Sequence, residues 1–207
     1  MTADSTLEHG RWQGFVWRAM LIPVLAAVLA GATACASRED SWLADSTPKS
    51  KYIAGDANLR NYTPFYIHRV SIKGPGEIGG GGGNVMPVEP NGHPSTGGGR
   101  CCMTFPRQWQ SDLRVTVRWL MDKAQDGKTP GYWYKAENVR FAQYNGNETY
   151  GAWAIFLPGD RVKLMVADGN ANGQNSVSQR PAEDDPDVFQ GVRDDEWNLK
   201  CRRGGLQ

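Results

Sequence analysis

Alternation of apolar and polar residues is the feature that most limits how this chain can fold. It is clearest over residues 113–120, where every second residue is apolar: Leu113, Val115, Val117 and Trp119. Polar residues stand between them, as in a strand that is buried on one face and solvated on the other. No stretch after Cys35 shows sustained helical periodicity. The sequence therefore predicts a mainly β domain.

Three further segments support this prediction. Residues 62–73 are rich in aromatic and branched side chains and predict a strand with one shared face: Tyr66, His68, Val70 and Ile72. Residues 131–144 predict one or two more strands. Residues 152–166 predict a hairpin that turns at Pro158-Gly159-Asp160 and points three residues inward: Val162, Leu164 and Val166. We expect a compact antiparallel sandwich or open barrel of about six to eight strands.

The N-terminal segment has the pattern of a secretory signal. Arg11 and Arg18 precede an apolar core at residues 21–30. This core is about ten residues long, whereas a membrane-spanning helix needs roughly 20. Small residues then lead to Cys35. The pattern predicts a signal peptide or anchor helix over residues 1–34. Three kinds of segment fit this pattern: a signal cleaved before a modified Cys35, an ordinary secretory signal cleaved after Ala34, and an uncleaved anchor. Each of them sends residues 36–207 out of the cytoplasm.

The small residues before Cys35 resemble a bacterial lipoprotein signal. The resemblance implies that Cys35 is acylated and becomes the new N-terminus, so that its acyl chains bind the membrane. Each buried methylene contributes about 0.8 kcal/mol, which makes a two-chain anchor firm. Ala36 stands where retained inner-membrane lipoproteins carry Asp, which implies the periplasmic face of the outer membrane. Residues 35–51 are then the lipidated Cys and a flexible tether.

The remaining chain divides by composition. Residues 52–166 form the predicted β-rich domain, interrupted by a loop over the Gly/Pro-rich residues 74–100. Residues 167–207 read as a loop-rich acidic C-terminal extension with at most one short helix, pinned by Trp197 and Cys201. The loop and the acidic extension are the candidate partner surfaces.

Charge and cysteine usage exclude several classes of function. The net charge is +1, from 23 basic and 22 acidic residues, which argues against a nucleic-acid partner. No C-x-x-C pair is present, so a structural zinc site is not expected. With Cys35 lipidated, three thiols remain: Cys101, Cys102 and Cys201. One disulfide from Cys101 or Cys102 to Cys201 suits an oxidising compartment, and the sequence does not choose between the two partners.

The chain contains partial motifs for cofactor and metal binding. Residues 74–79 spell G-x-G-x-x-G, but the glycines that follow cannot start the helix that a dinucleotide site requires. Residues 168–173 fit the first half of a calcium loop with three oxygen ligands: Asp168, Asn170 and Asn172. Gln179 replaces the expected bidentate Glu, so the affinity would be weak, and a surface turn explains the same composition. His68 and His93 belong to no metal motif, and no nucleophile elbow is present. We expect no cofactor, no metal and no enzymatic activity.

One block of residues resembles a known family. The segment GGGRCCMTFP at 97–106, followed by LRVTVRW at 113–119, is similar to the proteobacterial family called domain of unknown function 3304. Asn61-Tyr62-Thr63 and the hairpin at 156–162 match as well, so the resemblance covers residues 52–166. It implies a short lipoprotein or secreted protein. Some members resemble immunity proteins encoded beside lipase-type effectors of the type VI secretion system.

The sequence thus predicts a membrane-anchored binding protein. A lipase delivered to the periplasm must be blocked there, and tethering raises the local concentration of the binder. The family resemblance therefore implies an immunity protein that neutralises a lipase-type toxin. The alternative is a structural or assembly lipoprotein of the envelope with no toxin partner.

Overall fold

Ten strands precede a single helix in the described part of the chain, residues 50–128, 131–147 and 149–203 of a computed structural model. The strands before the hairpin are β1 Tyr52–Asn61, β2 Tyr66–Lys73, β3 Gly79–Val85, β4 Ser95–Pro106, β5 Val115–Asp122 and β6 Tyr132–Val139. The later elements are β7 Ala152–Leu157, β8 Arg161–Val166, β9 Val188–Gln190, β10 Val192–Arg193 and the helix α1 Asp195–Arg203.

The strands form one sheet that curls back on itself. Their order is β10-β6-β5-β2-β3-β4-β1-β7-β8-β9, and within it only β1 and β7 are parallel neighbours. The chain leaving β6 returns to β8, where Phe141 bridges Leu164 and the Ala142 N–H donates to the Leu164 carbonyl at 2.9 Å. Gly191 alone separates the edge strands β9 and β10. The mainly β fold is confirmed. Of the two expected architectures, a sandwich and an open barrel, the sheet forms the barrel and comes close to closing.

The apolar face of β5 lies in the core of the barrel. Leu113, Val115, Val117 and Trp119 are all buried, as the alternation predicts. The Trp119 ring stacks at 6.0 Å on Tyr134, which places two large side chains in the same layer. Each such burial contributes about 1.5–3 kcal/mol. The hairpin is confirmed too, because β7 pairs with β8 and all three inward residues are buried: Val162, Leu164 and Val166.

Strand β2 departs from simple alternation at His68. Ile67 pairs with Met121 and Arg69 pairs with Leu120, so that His68 is an extra residue opposite β5. Such a β-bulge shifts the side-chain alternation by one position. Ile67 is buried and His68 is exposed. The expectation that His68 shares a face with the buried Val70 and Ile72 is therefore wrong.

The run of glycines is a strand, so the predicted loop over residues 74–100 is wrong. Strand β3 lies beside β2, and its backbone approaches that of β2 closely. A Cβ added at Gly81 would lie 2.4 Å from the carbonyl oxygen of Val70, and one at Gly83 would lie 2.3 Å from that of His68. Only glycine permits this approach, which outweighs its poor intrinsic preference for strands.

The C-terminal residues are built onto the barrel. Strand β9 extends the sheet beside β8, and β10 extends it beside β6. Between β8 and β9 the chain covers the outer face of β7 and β8, where it encloses a second apolar cluster: Tyr62, Ala142, Ile155, Leu157, Met165 and Ala167, with Trp153, Val177 and Val188 packed against it. This cover buries β7 and β8 on both faces. The compact unit that begins at Ser50 includes these residues.

Ion pairs fasten the acidic part of this cover to the barrel. The Lys163 ammonium, on a residue only 8% exposed, lies 2.7 Å from the Asp185 carboxylate. Arg140 pairs with Asp187 at 2.6 Å. A third pair joins Glu183 to Arg161 of β8. These ion pairs attach the acidic segment to the barrel, and its role as a partner surface stays a prediction.

Candidate functional site

Exposed large apolar side chains concentrate near the C-terminal helix. Among the described residues five are exposed: Met86, Tyr150, Val192, Trp197 and Leu199. Three of these lie within eight residues of one another on β10 and α1. The Arg118 guanidinium of β5 stacks on the Trp197 ring, and together with it these three side chains make up what we name the α1 surface: Arg118, Val192, Trp197 and Leu199.

The helix that carries this surface begins at a strong N-cap. A carboxylate oxygen of Asp194 accepts a hydrogen bond from the Trp197 backbone N–H at 3.1 Å. Asp195 and Glu196 place negative charge in the first turn, where the helix dipole favours it. The other oxygen of Asp194 accepts from Arg118 of β5 at 2.9 Å. The start of α1 is thereby fixed to the barrel wall.

Asn198 holds the same helix against β6. Its Oδ1 accepts from the Trp133 backbone N–H at 2.8 Å, and its Nδ2 donates to the Trp133 carbonyl at 3.2 Å. The Asp194 backbone N–H donates to that carbonyl as well, at 2.8 Å. Asn198 is 7% exposed, so water competes little for these bonds. The Asn198 side-chain amide thus pairs with the β6 backbone as a neighbouring strand would. This pairing fixes the orientation of α1 on β6.

Two guanidinium groups stack on aromatic rings near α1. The Arg193 guanidinium lies 3.9 Å from the centroid of the Tyr132 ring, and that of Arg118 lies 4.8 Å from Trp197. Trp197 meets the edge of Trp133 at 6.4 Å and 78°. Exposed cation–π contacts contribute about 0.5–1 kcal/mol each, enough to restrict these side chains. The rings are held in place before any partner arrives.

Charges around the α1 surface are matched in pairs. Arg193 lies 2.7 Å from Asp195, and Lys200 lies 2.6 Å from Glu196. The hydrogen bond from Lys200 lowers the pKa of the Glu196 carboxyl. On β6, a hydrogen bond to Glu137 raises the pKa of Lys135. Recognition here would depend on shape and aromatic contact more than on net charge.

The cysteine predictions meet the structure at Cys201. Its thiol is free, so the expected disulfide from Cys101 or Cys102 to Cys201 is not formed. The reason is distance: α1 packs on β6, whereas Cys102 is exposed on β4, with β5, β2 and β3 between those strands in the sheet. A disulfide needs Cα atoms within about 7 Å, and strands are about 4.8 Å apart. Cys35 and the side chain of Cys101 lie outside the described residues.

The calcium-loop candidates form consecutive turns. Asp168 Oδ1 accepts from the Asn170 N–H at 2.9 Å, and Asn170 Oδ1 accepts from the Asn172 N–H at 3.0 Å. Asp168 Oδ2 also accepts from the Asn175 N–H at 3.2 Å. The surface-turn alternative explains these residues without metal. No group of three metal-ligating side chains was found among the described residues, and calcium binding at this loop stays a prediction.

Sequence reasoning did not find the α1 surface. It predicted that Trp197 packs the C-terminal extension against the domain. The ring does pack on Trp133, but it is also 38% exposed. The available signal was the N-cap pattern Asp194-Asp195-Glu196 ahead of a short segment with large apolar residues. What the sequence did not reveal is that β10 brings Val192 and Arg193 beside that helix.

The comparisons with known proteins bear on the barrel. No helix in the described ranges is long and apolar enough to cross a membrane. A search of curated proteins gives no significant match to the chain. The family model described as protein of unknown function (DUF3304) matches residues 60–164, from within β1 to within β8. Most of the α1 surface follows this range. The matched range contains β2 to β7 and covers half of the chain, so this protein belongs to the DUF3304 family.

Proposed function

We propose that this protein is a lipid-anchored periplasmic protein of non-enzymatic type, which binds and neutralises a lipase-type toxin of the type VI secretion system. The observation that carries the proposal is the α1 surface. Trp, Tyr and Arg are the residues most enriched where protein interfaces derive their affinity. Here Arg118 stacks on Trp197, and the same C-terminal segment exposes two aliphatic side chains, Val192 and Leu199.

The order of the α1 surface supports a binding role. Ordering side chains on association costs about 0.5–1.5 kcal/mol each. The Asn198 and Asp194 hydrogen bonds fix the helix, and the stacked guanidinium groups fix the rings. Most of this cost is therefore met during folding. Burial of Trp197, Leu199 and Val192 under a partner would then contribute directly to affinity.

Anchoring supports the choice of partner. The proposal includes removal of residues 1–34 and acylation of Cys35, which places the domain at the periplasmic face of the outer membrane. A lipase acts at that same membrane. Confining the binder there raises its effective concentration without any new contact. The sequence between Cys35 and the first strand is long enough to hold the barrel off the headgroups.

Growth rescue tests the proposed function. Each product of the neighbouring genes is directed to the periplasm, with and without this protein, and growth is measured. We expect one of these products to be toxic and this protein to restore growth. Trp197→Ala is expected to weaken the complex by about 2 kcal/mol, roughly thirtyfold, and to abolish rescue at low expression. Met86→Ala removes an apolar side chain elsewhere that is more exposed, 62% against 38% for Trp197, and should rescue fully.

Two results would count against this proposal. If no neighbouring product is toxic and rescued, the toxin partner is lost, and a structural or assembly role in the envelope takes its place. If Trp197→Ala rescues as well as Met86→Ala at equal protein level, the α1 surface is not the interface. Circular dichroism of both variants separates loss of binding from loss of fold.

A second experiment tests the anchor. Cys35→Ser is expected to move the protein from the membrane fraction to the soluble periplasmic fraction, because the variant has no thiol to acylate. Mass spectrometry of the mature wild-type N-terminus should show the acyl chains. Cys201→Ser is the matched control, since its thiol is free and its loss should leave the protein in the membrane fraction. An unmodified terminus, or wild-type protein in the cytosol, would refute the anchor.

A further inference from the structure

A cleft of about 270 Å³ opens on the outside of the barrel, and none of its lining residues belongs to the α1 surface. It lies between the start of β7 and the turns that follow β8. Aromatic side chains and short polar ones share its lining, which includes Tyr150, Trp153, Asp168, Asn170, Ser176 and Val177. The described lining residues include no lysine and no arginine.

Two aromatic rings form the apolar part of this lining. Tyr150 is 67% exposed, and its ring lies directly against Gly169, where a Cβ would come within 2.5 Å of the ring. Gly169 also has a φ of 72°, a conformation that glycine adopts without strain. The second ring belongs to Trp153, whose buried indole N–H has no hydrogen-bond partner among the described residues. Buried indole N–H groups usually have one.

The polar rim of the cleft is held rigid by its own hydrogen bonds. Ser176 Oγ donates to the Ala171 carbonyl at 2.7 Å. Asn175 Nδ2 donates to the Gln143 carbonyl at 2.7 Å, which ties the rim to the chain that closes the barrel. The Oδ1 of the same amide is buried without a partner. The cleft is thus preformed, and one of its lining residues, Trp153, has an unused hydrogen-bond donor.

We propose that this cleft binds a sugar ring of a neutral glycan. A pyranose has a flat C–H face that packs on aromatic rings, and hydroxyl groups that both donate and accept hydrogen bonds. The Tyr150 and Trp153 rings suit that face, and the short polar side chains suit the hydroxyls. Without a cation in the lining, a phosphate or carboxylate ligand is disfavoured. The volume is close to the lower limit of small-ligand sites, as expected for one or two rings.

To test the proposal, the full chain in detergent is titrated with chitotriose and with maltotriose. Binding is measured by calorimetry and by tryptophan fluorescence. We expect saturable binding. Tyr150→Ala should weaken it about tenfold, since the ring is exposed and its loss removes a stacking contact. Trp153→Phe keeps a ring but removes the indole N–H, and should also weaken binding. Met86→Ala, at an exposed apolar residue that does not line the cleft, should leave the affinity unchanged.

The two oligosaccharides distinguish the possible sources. Binding of chitotriose alone indicates an N-acetylated glycan such as that of the cell wall, whereas binding of both indicates recognition of hexose rings in general. Failure of both to bind at tens of millimolar overturns the proposal, as does binding that Tyr150→Ala leaves unchanged. If Trp153→Phe does not fold, the Tyr150→Ala result decides alone. Growth rescue by the protein is a separate readout, so failure here leaves the toxin proposal standing.

Discussion

Gly81→Ala is expected to lower the free energy of unfolding by about 3 kcal/mol or more, the upper end of what overpacking costs. The added Cβ would lie 2.4 Å from the carbonyl oxygen of Val70 and 3.4 Å from its carbonyl carbon. These are backbone atoms of the paired strand β2, so no side chain can rotate away to relieve the contact. Relief requires that β3 and β2 separate, which breaks the hydrogen bonds between them.

Gly55→Ala is the matched control for this substitution. Gly55 also lies in a strand, β1, but a Cβ added there has no heavy atom within 4 Å. Its replacement should change stability by less than about 1 kcal/mol, and restriction of the unfolded chain favours a small gain. Urea unfolding followed by tryptophan fluorescence gives both values. Equal losses for the two variants would show that the close approach of β3 to β2 is not what requires glycine.

Local periodicity explains what could be predicted of this fold. The apolar positions of β5 follow from alternation, and the hairpin of β7 and β8 follows from a Pro-Gly-Asp turn. Each of these signals is contained within a few consecutive residues. The same reasoning failed for β3, because the need for glycine at Gly81 is imposed by a carbonyl of another strand. A rule based on strand propensity contains no information about that neighbour.

The candidate site was out of reach for a related reason. The N-cap of α1 can be recognised from the sequence, but its attachment depends on Arg118 and on the backbone of Trp133, which lie 76 and 65 residues away from their partners Asp194 and Asn198. The bulge at His68 is likewise a property of how β2 registers with β5. Long-range pairing of this kind decides which apolar residues of the C-terminal segment remain exposed, and composition alone does not.

Asn61 is the centre of a buried polar network that joins three parts of the barrel. Its side chain is fully buried, and it donates to the carbonyl oxygens of Phe65 and Met86, each at 2.8 Å. Its Oδ1 accepts from both the backbone N–H and the hydroxyl of Thr63, at 2.9 and 2.8 Å. One amide therefore fixes the β1–β2 turn and the chain leaving β3. Asn61-Tyr62-Thr63 is among the residues that carry the family resemblance.

Asn61→Asp is expected to cost about 3 kcal/mol or more at pH 7, because it buries a charge and because a carboxylate cannot donate to the Phe65 and Met86 carbonyls. Burial also raises the pKa of the introduced carboxyl in the folded state above its value in the unfolded chain. The folded state is therefore penalised as pH rises through the unfolded value, about 4, and the difference from wild type should shrink in acid. Asn172→Asp, at an exposed position, should show neither effect. Urea unfolding at pH 4.5 and pH 7 measures both, and a loss that does not vary with pH would mean that the carboxylate reaches water and that Asn61 is not sealed within the barrel.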